Sequence, residues 1–154
     1  MKYIDTAITF SEVPDEVSLC FSISGCQNHC PACHSKYLWE DTGDELTETV
    51  IDSYVSTYKG GITCVCFMGG DVNPQRVFEL ANHVHVTFSD IKTAWYSGKD
   101  TIDLSKIDCM DYIKVGRFDE KFGPLDKQTT NQRMYKKVNG DWEDITYKFW
   151  KKKI

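Results

Sequence analysis

The stretch EVSLCFSISGCQNHCPACH, residues 16–34, joins two signals. In its first half Val17, Leu19, Phe21 and Ile23 alternate with small or polar residues, the period of two expected of a β-strand. In its second half Cys26, Cys30, Cys33 and His34 fall within nine residues. A strand running straight into such a loop sets the thiols at the edge of a sheet. Thiolate is a soft ligand suited to iron–sulfur clusters, zinc and copper(I), and the C-x3-C-x2-C spacing lets three sulfurs approach a common centre. Most iron–sulfur clusters use four cysteines, so a local trio points to a four-iron cluster with one iron left open for a substrate or cofactor. Rival readings stay open on the spacing alone. Cys30 to His34 matches the C-x-x-C-H haem attachment pattern, although that chemistry goes with export and leaves Cys26 unexplained. A zinc site could draw on the same cysteines with His34 or a distant thiol, but adjacent Cys33 and His34 crowd a single tetrahedral centre. Unligated thiols are the third alternative.

Working outward, 154 residues suit one domain with a single core. Hydrophobic residues make up 41% and charged residues 27%, too apolar a balance for a disordered chain. The longest apolar run, ITCVCFM at 62–68, falls well short of the roughly 20 residues of a membrane-spanning helix. The opening MKYIDTAITFSEVPDE lacks the build of a secretory signal, so a cytoplasmic location is expected. Seven cysteines, an odd number, in a reducing compartment argue against a disulfide framework. Cys64 and Cys66, two apart on an apolar run, face one side as small core residues, and Cys20 and Cys109 read likewise. The net charge of −5 argues against nucleic acid as a partner, even though KFWKKKI at 148–154 carries four lysines and reads as a solvated tail.

The remaining pattern alternates strands with helices. LTETVIDSYVSTY at 46–58 carries a helical stripe with Thr47 or Asp44 as its cap. GGITCVCFMGGD reads as a strand buried on both faces, and PQRVFELANHV at 74–84 as a helix opened by Pro74. HVTFS, KTAWYSG and DYIKVG follow as short strands, and Asn139–Gly140 sits between two alternating segments as a hairpin turn. Strands separated by helices predict an α/β fold with mostly parallel strands. The chain is shorter than the about 250 residues of a closed eight-fold barrel, so an incomplete TIM-like barrel of βα units is expected. Its core would run over about 16–118, with a C-terminal hairpin extension over about 119–154 in the same domain.

The C-x3-C-x2-C loop after a first strand resembles the motif of radical S-adenosylmethionine enzymes. Gly69-Gly70-Asp71, at the end of the next apolar strand, is similar to that superfamily's Gly-Gly-Glu element, with aspartate in place of glutamate. The small size, CPACH with Trp39 downstream, AWYSG at 94–98 and TTNQRMY at 129–135 resemble the activating proteins of anaerobic ribonucleoside-triphosphate reductase. Departures are Ala32, where that family more often has glycine, the residues His34 and Ser35, and Asp71.

The resemblance implies that Cys26, Cys30 and Cys33 hold a [4Fe–4S] cluster whose open iron chelates S-adenosylmethionine. One electron then cleaves the sulfonium to methionine and a 5′-deoxyadenosyl radical, which takes a hydrogen atom from a glycine of the partner. Gly69, Gly70 and Asp71 would approach the methionyl amino group, the backbone of Ala32 and His34 the adenine, and Ser97 the carboxylate. The implied partners are the large glycyl-radical reductase subunit and flavodoxin or a similar electron donor. Another glycyl-radical enzyme or a small molecule would serve the same chemistry. Lys114 could face the cofactor but reads rather as an edge-strand lysine that discourages aggregation, Trp39 as packing, and Arg133 with TTNQRMY and the hairpin as the docking face. His29, His83 and His85 carry no assigned role.

Overall fold

The computed structural model describes residues 1–150. In chain order they form β1 (Lys2–Thr9), β2 (Ser18–Ile23), β3 (Asp44–Glu45), α1 (Glu48–Thr57), β4 (Cys64–Met68), α2 (Pro74–Thr87), β5 (Lys92–Tyr96), β6 (Tyr112–Val115), β7 (Arg133–Val138) and β8 (Asp141–Asp144). The strands make one sheet in the order β3-β1-β2-β4-β5-β6-β7-β8. Its centre, β2-β4-β5-β6, is parallel, and both flanks are antiparallel. The sheet is therefore more mixed than the expected run of parallel strands, and it ends at β3 and β8 without closing on itself. Between β5 and β6 the chain carries only a 3-10 turn, Leu104–Lys106, where a full βα unit would hold a helix.

Period-two patterning divides the core. Leu19, Phe21, Ile23, Val65, Phe67, Trp95 and Ile113 share one face with Ile51 and Val55 of α1 and Val77, Leu80, Ala81 and Val84 of α2. On the opposite face Cys20, Cys64, Cys66, Ala94, Tyr112 and Met134 meet Val13 and Ile145. The cysteines of β2 and β4 are thus small core residues, as their spacing implies. Thr47 caps α1 by accepting from the Val50 amide (3.2 Å), and Asn73 caps α2 by accepting from that of Arg76 (3.2 Å).

Two elements differ from expectation. The stretch expected as a strand at HVTFS mostly continues α2, because Val77, Leu80, Ala81 and Val84 keep one helical stripe buried while Val86 points outward, 77% exposed. β1 has no counterpart among the expected elements, since Tyr3 alone along it is buried and no alternation marks it. The hairpin turn forms at Asn139 (φ 50°) and Gly140 (φ 86°), joining β7 to β8. Of the lysine-rich tail, Lys148 pairs with Asp15, and the remaining lysines lie outside the described residues. No helix among the described residues is long and apolar enough to cross a membrane.

At the N-terminal end of the parallel strands a buried carboxylate ties the sheet together. Glu16 accepts from Lys92 Nζ (2.5 Å), Thr63 Oγ1 (2.6 Å) and Tyr112 Oη (2.8 Å). Burial works to raise its pKa, but the hydrogen bonds from Lys92, Thr63 and Tyr112 outweigh it, and the carboxyl lies below its ordinary value. A carboxylate depressed on folding contributes stability above the unfolded pKa, near 4.5, and that contribution is lost as pH falls through the folded value. Glu16→Gln is expected to lower unfolding free energy at pH 7 by about 2 kcal/mol and to flatten the loss of stability below pH ~4.5. Denaturant titrations of both proteins across acid pH check this; parallel pH profiles would count against it.

Candidate metal centre

The loop from Ser24 to Gly43 leaves the C-terminal end of β2, where the parallel strands present their carboxyl ends. Its base is laced by backbone: Ser24 N–H to Lys2 O (3.0 Å), Gly25 N–H to Glu40 O (3.2 Å) and Cys26 N–H to Leu38 O (2.9 Å). Its tip is a tight turn. Cys30-Pro31-Ala32-Cys33 closes with the Cys33 amide donating to Cys30 O (3.1 Å), with proline second and Ala32 third at φ 58°. Proline followed by a left-handed residue is the signature of a type II turn, whose third position favours glycine. Glycine would meet this left-handed position without the strain that Ala32 carries. His29 stacks on Trp39 (4.3 Å, 18°), so Trp39 packs against the loop.

Cys30 is buried, whereas Cys26 and Cys33 are partly exposed. Burial pushes the Cys30 thiol above its ordinary value and the neighbouring Cys33 and Cys26 add to it, while the Phe118 amide and Arg117 pull the other way. The Ser35 amide also donates to Cys33 Sγ (3.3 Å). Among the described residues no three His, Cys, Asp or Glu side chains converge on a single-ion point. A cubic cluster holds its thiolates at separate corners, so three soft donors on one loop, with an amide donating to the Cys33 sulfur, fit such a group.

The second half of the site comes from β4. Gly69 and Gly70 hold φ of 109° and 91°, and a Cβ on Gly70 would stand 2.6 Å from Val77 Cγ2. Side chains are excluded there by backbone and by space. Asp71 follows with both oxygens engaged: Oδ1 accepts from Ser97 Oγ (2.5 Å) and Oδ2 from the Gly98 amide (2.7 Å). Ser97 is wholly buried and braces the end of β5 against the end of β4. Cys26, Asn28, Gly69, Gly70 and Asp71 line one cleft of about 140 Å³, which meets a second of about 420 Å³ through shared Gln27, Gly70 and Val72. Ala32 and His34 stand apart from it. Both are exposed, and His34 packs edge-on against Phe118 (5.6 Å).

Lys114 departs from its reading as an edge residue. β6 lies between β5 and β7, and Lys114 is 8% exposed, its Nζ donating to Gly116 O (2.6 Å) and Ser97 O (3.4 Å). Burial lowers its pKa to about 8, against the opposing influence of Asp71, Cys30 and Cys26. The available signal was a single charge inside the apolar run YIKV. Arg133 is also tied locally, donating to Thr130 O (3.2 Å) and Gln132 O (3.0 Å), and Thr130, Gln132 and Met134 of the expected docking segment are buried. His83 pairs with Asp52 and His85 with Asp111 (2.7 and 2.9 Å), linking elements away from the cysteine loop.

Comparison with known proteins agrees with the loop chemistry. The family described as 4Fe-4S single cluster domain matches residues 16–139, from the start of the β2 segment to the hairpin turn. No curated protein and no solved structure matches the chain. The chain belongs to the 4Fe-4S single cluster domain family, and an iron–sulfur cluster is its implied cofactor.

Proposed function

We propose that this member of the 4Fe-4S single cluster domain family is a radical S-adenosylmethionine activase that generates a glycyl radical on anaerobic ribonucleotide reductase. The observation that carries the reading is one cleft, at the carboxyl ends of the parallel strands, lined by both Cys26 and Gly69-Gly70-Asp71. Ligands of open α/β sheets bind at such ends. The open sheet is read as the incomplete barrel that the resemblance implies, and the work as cytoplasmic, with flavodoxin or a similar donor supplying electrons.

In this reading Cys26, Cys30 and Cys33 hold a four-iron cluster, the Ser35 amide donates to the Cys33 sulfur, and the Phe118 amide works against the burial that raises the Cys30 thiol. When bound, such a cluster supplies a one-electron donor with an open iron for S-adenosylmethionine. Gly69 and Gly70 leave backbone bare where the methionyl group approaches. Asp71 keeps lone pairs beyond its two bonds to Ser97 and Gly98, so it can accept from an amino group while fixed in place. Ser97, wholly buried, acts by holding Asp71.

Anaerobic reconstitution should give brown protein with about four irons per chain, which on reduction cleaves S-adenosylmethionine to 5′-deoxyadenosine. Mixed with the reductase subunit it should produce a glycyl radical signal. Colourless protein holding one zinc, or cluster-loaded protein that leaves S-adenosylmethionine intact, would overturn the proposal. Cleavage without a glycyl radical would move the substrate to another glycyl-radical enzyme or a small molecule.

A further inference from the structure

Lys114 is a cation set in a dry place without an anion. It stands near the end of β6 on the sheet face opposite the helices, opposite Met134 of β7, with its Nζ 5.7 Å from the centre of the Tyr96 ring on β5. Its hydrogen bonds go to the carbonyls of Gly116 and Ser97, which are neutral acceptors, and an ammonium has a third donor to give. No carboxylate pairs with it among the described residues; the Ser97 whose carbonyl it meets also donates to Asp71, which lines one cleft with Cys26, and Asp71, Cys30 and Cys26 are the negative groups that act on it. A lysine 8% exposed and lacking an ion pair is expensive to keep unless an anion completes its surroundings.

A second cation that acts on the cysteines is a weaker source of field. Arg117 acts on Cys30, but its side chain is 59% exposed and is paired with Asp100 at 2.6 Å, so water, salt and its partner screen it. The Lys114 charge reaches the loop through protein, where Coulomb interactions fall off far less.

We propose that Lys114 is the buried counter-charge of the cluster held on Cys26, Cys30 and Cys33, and that it raises the cluster's reduction potential. The inference rests on the functional reading above. A cluster ligated by thiolates becomes more negative when it accepts an electron, so a fixed cation nearby favours the reduced state. The ammonium, with a folded pKa of about 8, remains charged at neutral pH. Lys114 acts through the field and touches no reacting atom, which makes it a positioning residue.

The test is a mediated redox titration, followed optically and by electron paramagnetic resonance, of reconstituted wild type, Lys114→Gln, Lys114→Met and Lys114→Arg without S-adenosylmethionine. Gln retains donors to the two carbonyls, so it reports if Met fails to fold. The neutral variants should hold wild-type iron and have a lower midpoint. At a fixed potential their ratio of reduced to oxidised cluster should fall by about tenfold, or about 59 mV for one electron. Arg should stay close to wild type. Iron-loaded Gln or Met protein with an unchanged midpoint sinks this inference alone. A wild-type chain that takes up no iron and sulfide sinks the functional reading with it.

Discussion

Cys30→Ala is expected to abolish stable cluster binding, leaving reconstituted protein colourless and, on the proposed function, unable to form 5′-deoxyadenosine. Cys30 is the buried member of the trio and the residue whose carbonyl closes the loop-tip turn. Removing groups that merely orient a metal ligand costs about 10–100-fold in metal affinity, and deleting a ligand itself should exceed that. Alanine preserves the turn, since the Cys33 amide still finds the backbone carbonyl at position 30. The apoprotein's thermal midpoint should therefore stay near wild type while iron per chain collapses. Cys109→Ala, outside the loop, should load normally. A Cys30→Ala protein with a full iron complement would contradict the ligand assignment.

Gly43→Ala is expected to be the most destabilising small substitution around the loop, by about 3 kcal/mol. A Cβ there would stand 2.1 Å from the Tyr3 carbonyl oxygen, which is backbone and cannot swing aside, and φ at Gly43 is 104°. Relief requires the end of the cysteine loop to pull away from β1, where Ser24 Oγ donates to Thr42 O (2.6 Å) and Tyr3 pairs with Asp44. Gly60→Ala separates the two causes. Gly60 has φ 85° with nothing within 4 Å of its would-be Cβ, so it should show the backbone penalty alone, about 1 kcal/mol. Equal losses in denaturant titrations of the two variants would mean that the clash at Gly43 is relieved elsewhere.

Strands whose two faces are both buried announced themselves in the residues. β4 carries an unbroken apolar run, and β2 alternates aliphatic and aromatic residues with small ones, so each was legible. Strand β1 was not, because an antiparallel strand near the edge of a sheet, with one buried residue, needs no particular pattern. The end of α2 was misjudged because Val86 and Phe88 also satisfy a period of two, whereas the helix runs on to Thr87 with Val86 exposed. At the site, cysteine spacing and the double glycine were readable as local sequence. The bond between Asp71 and Ser97 spans 26 residues and the interior position of β6 depends on β7 folding back beside it, so neither the brace nor the burial of Lys114 could be read locally.

The apolar clusters on the two sheet faces draw nothing from residues 24–43. Maturation can therefore follow folding: an emptied polypeptide keeps its scaffold, unlike small zinc modules that unravel without metal.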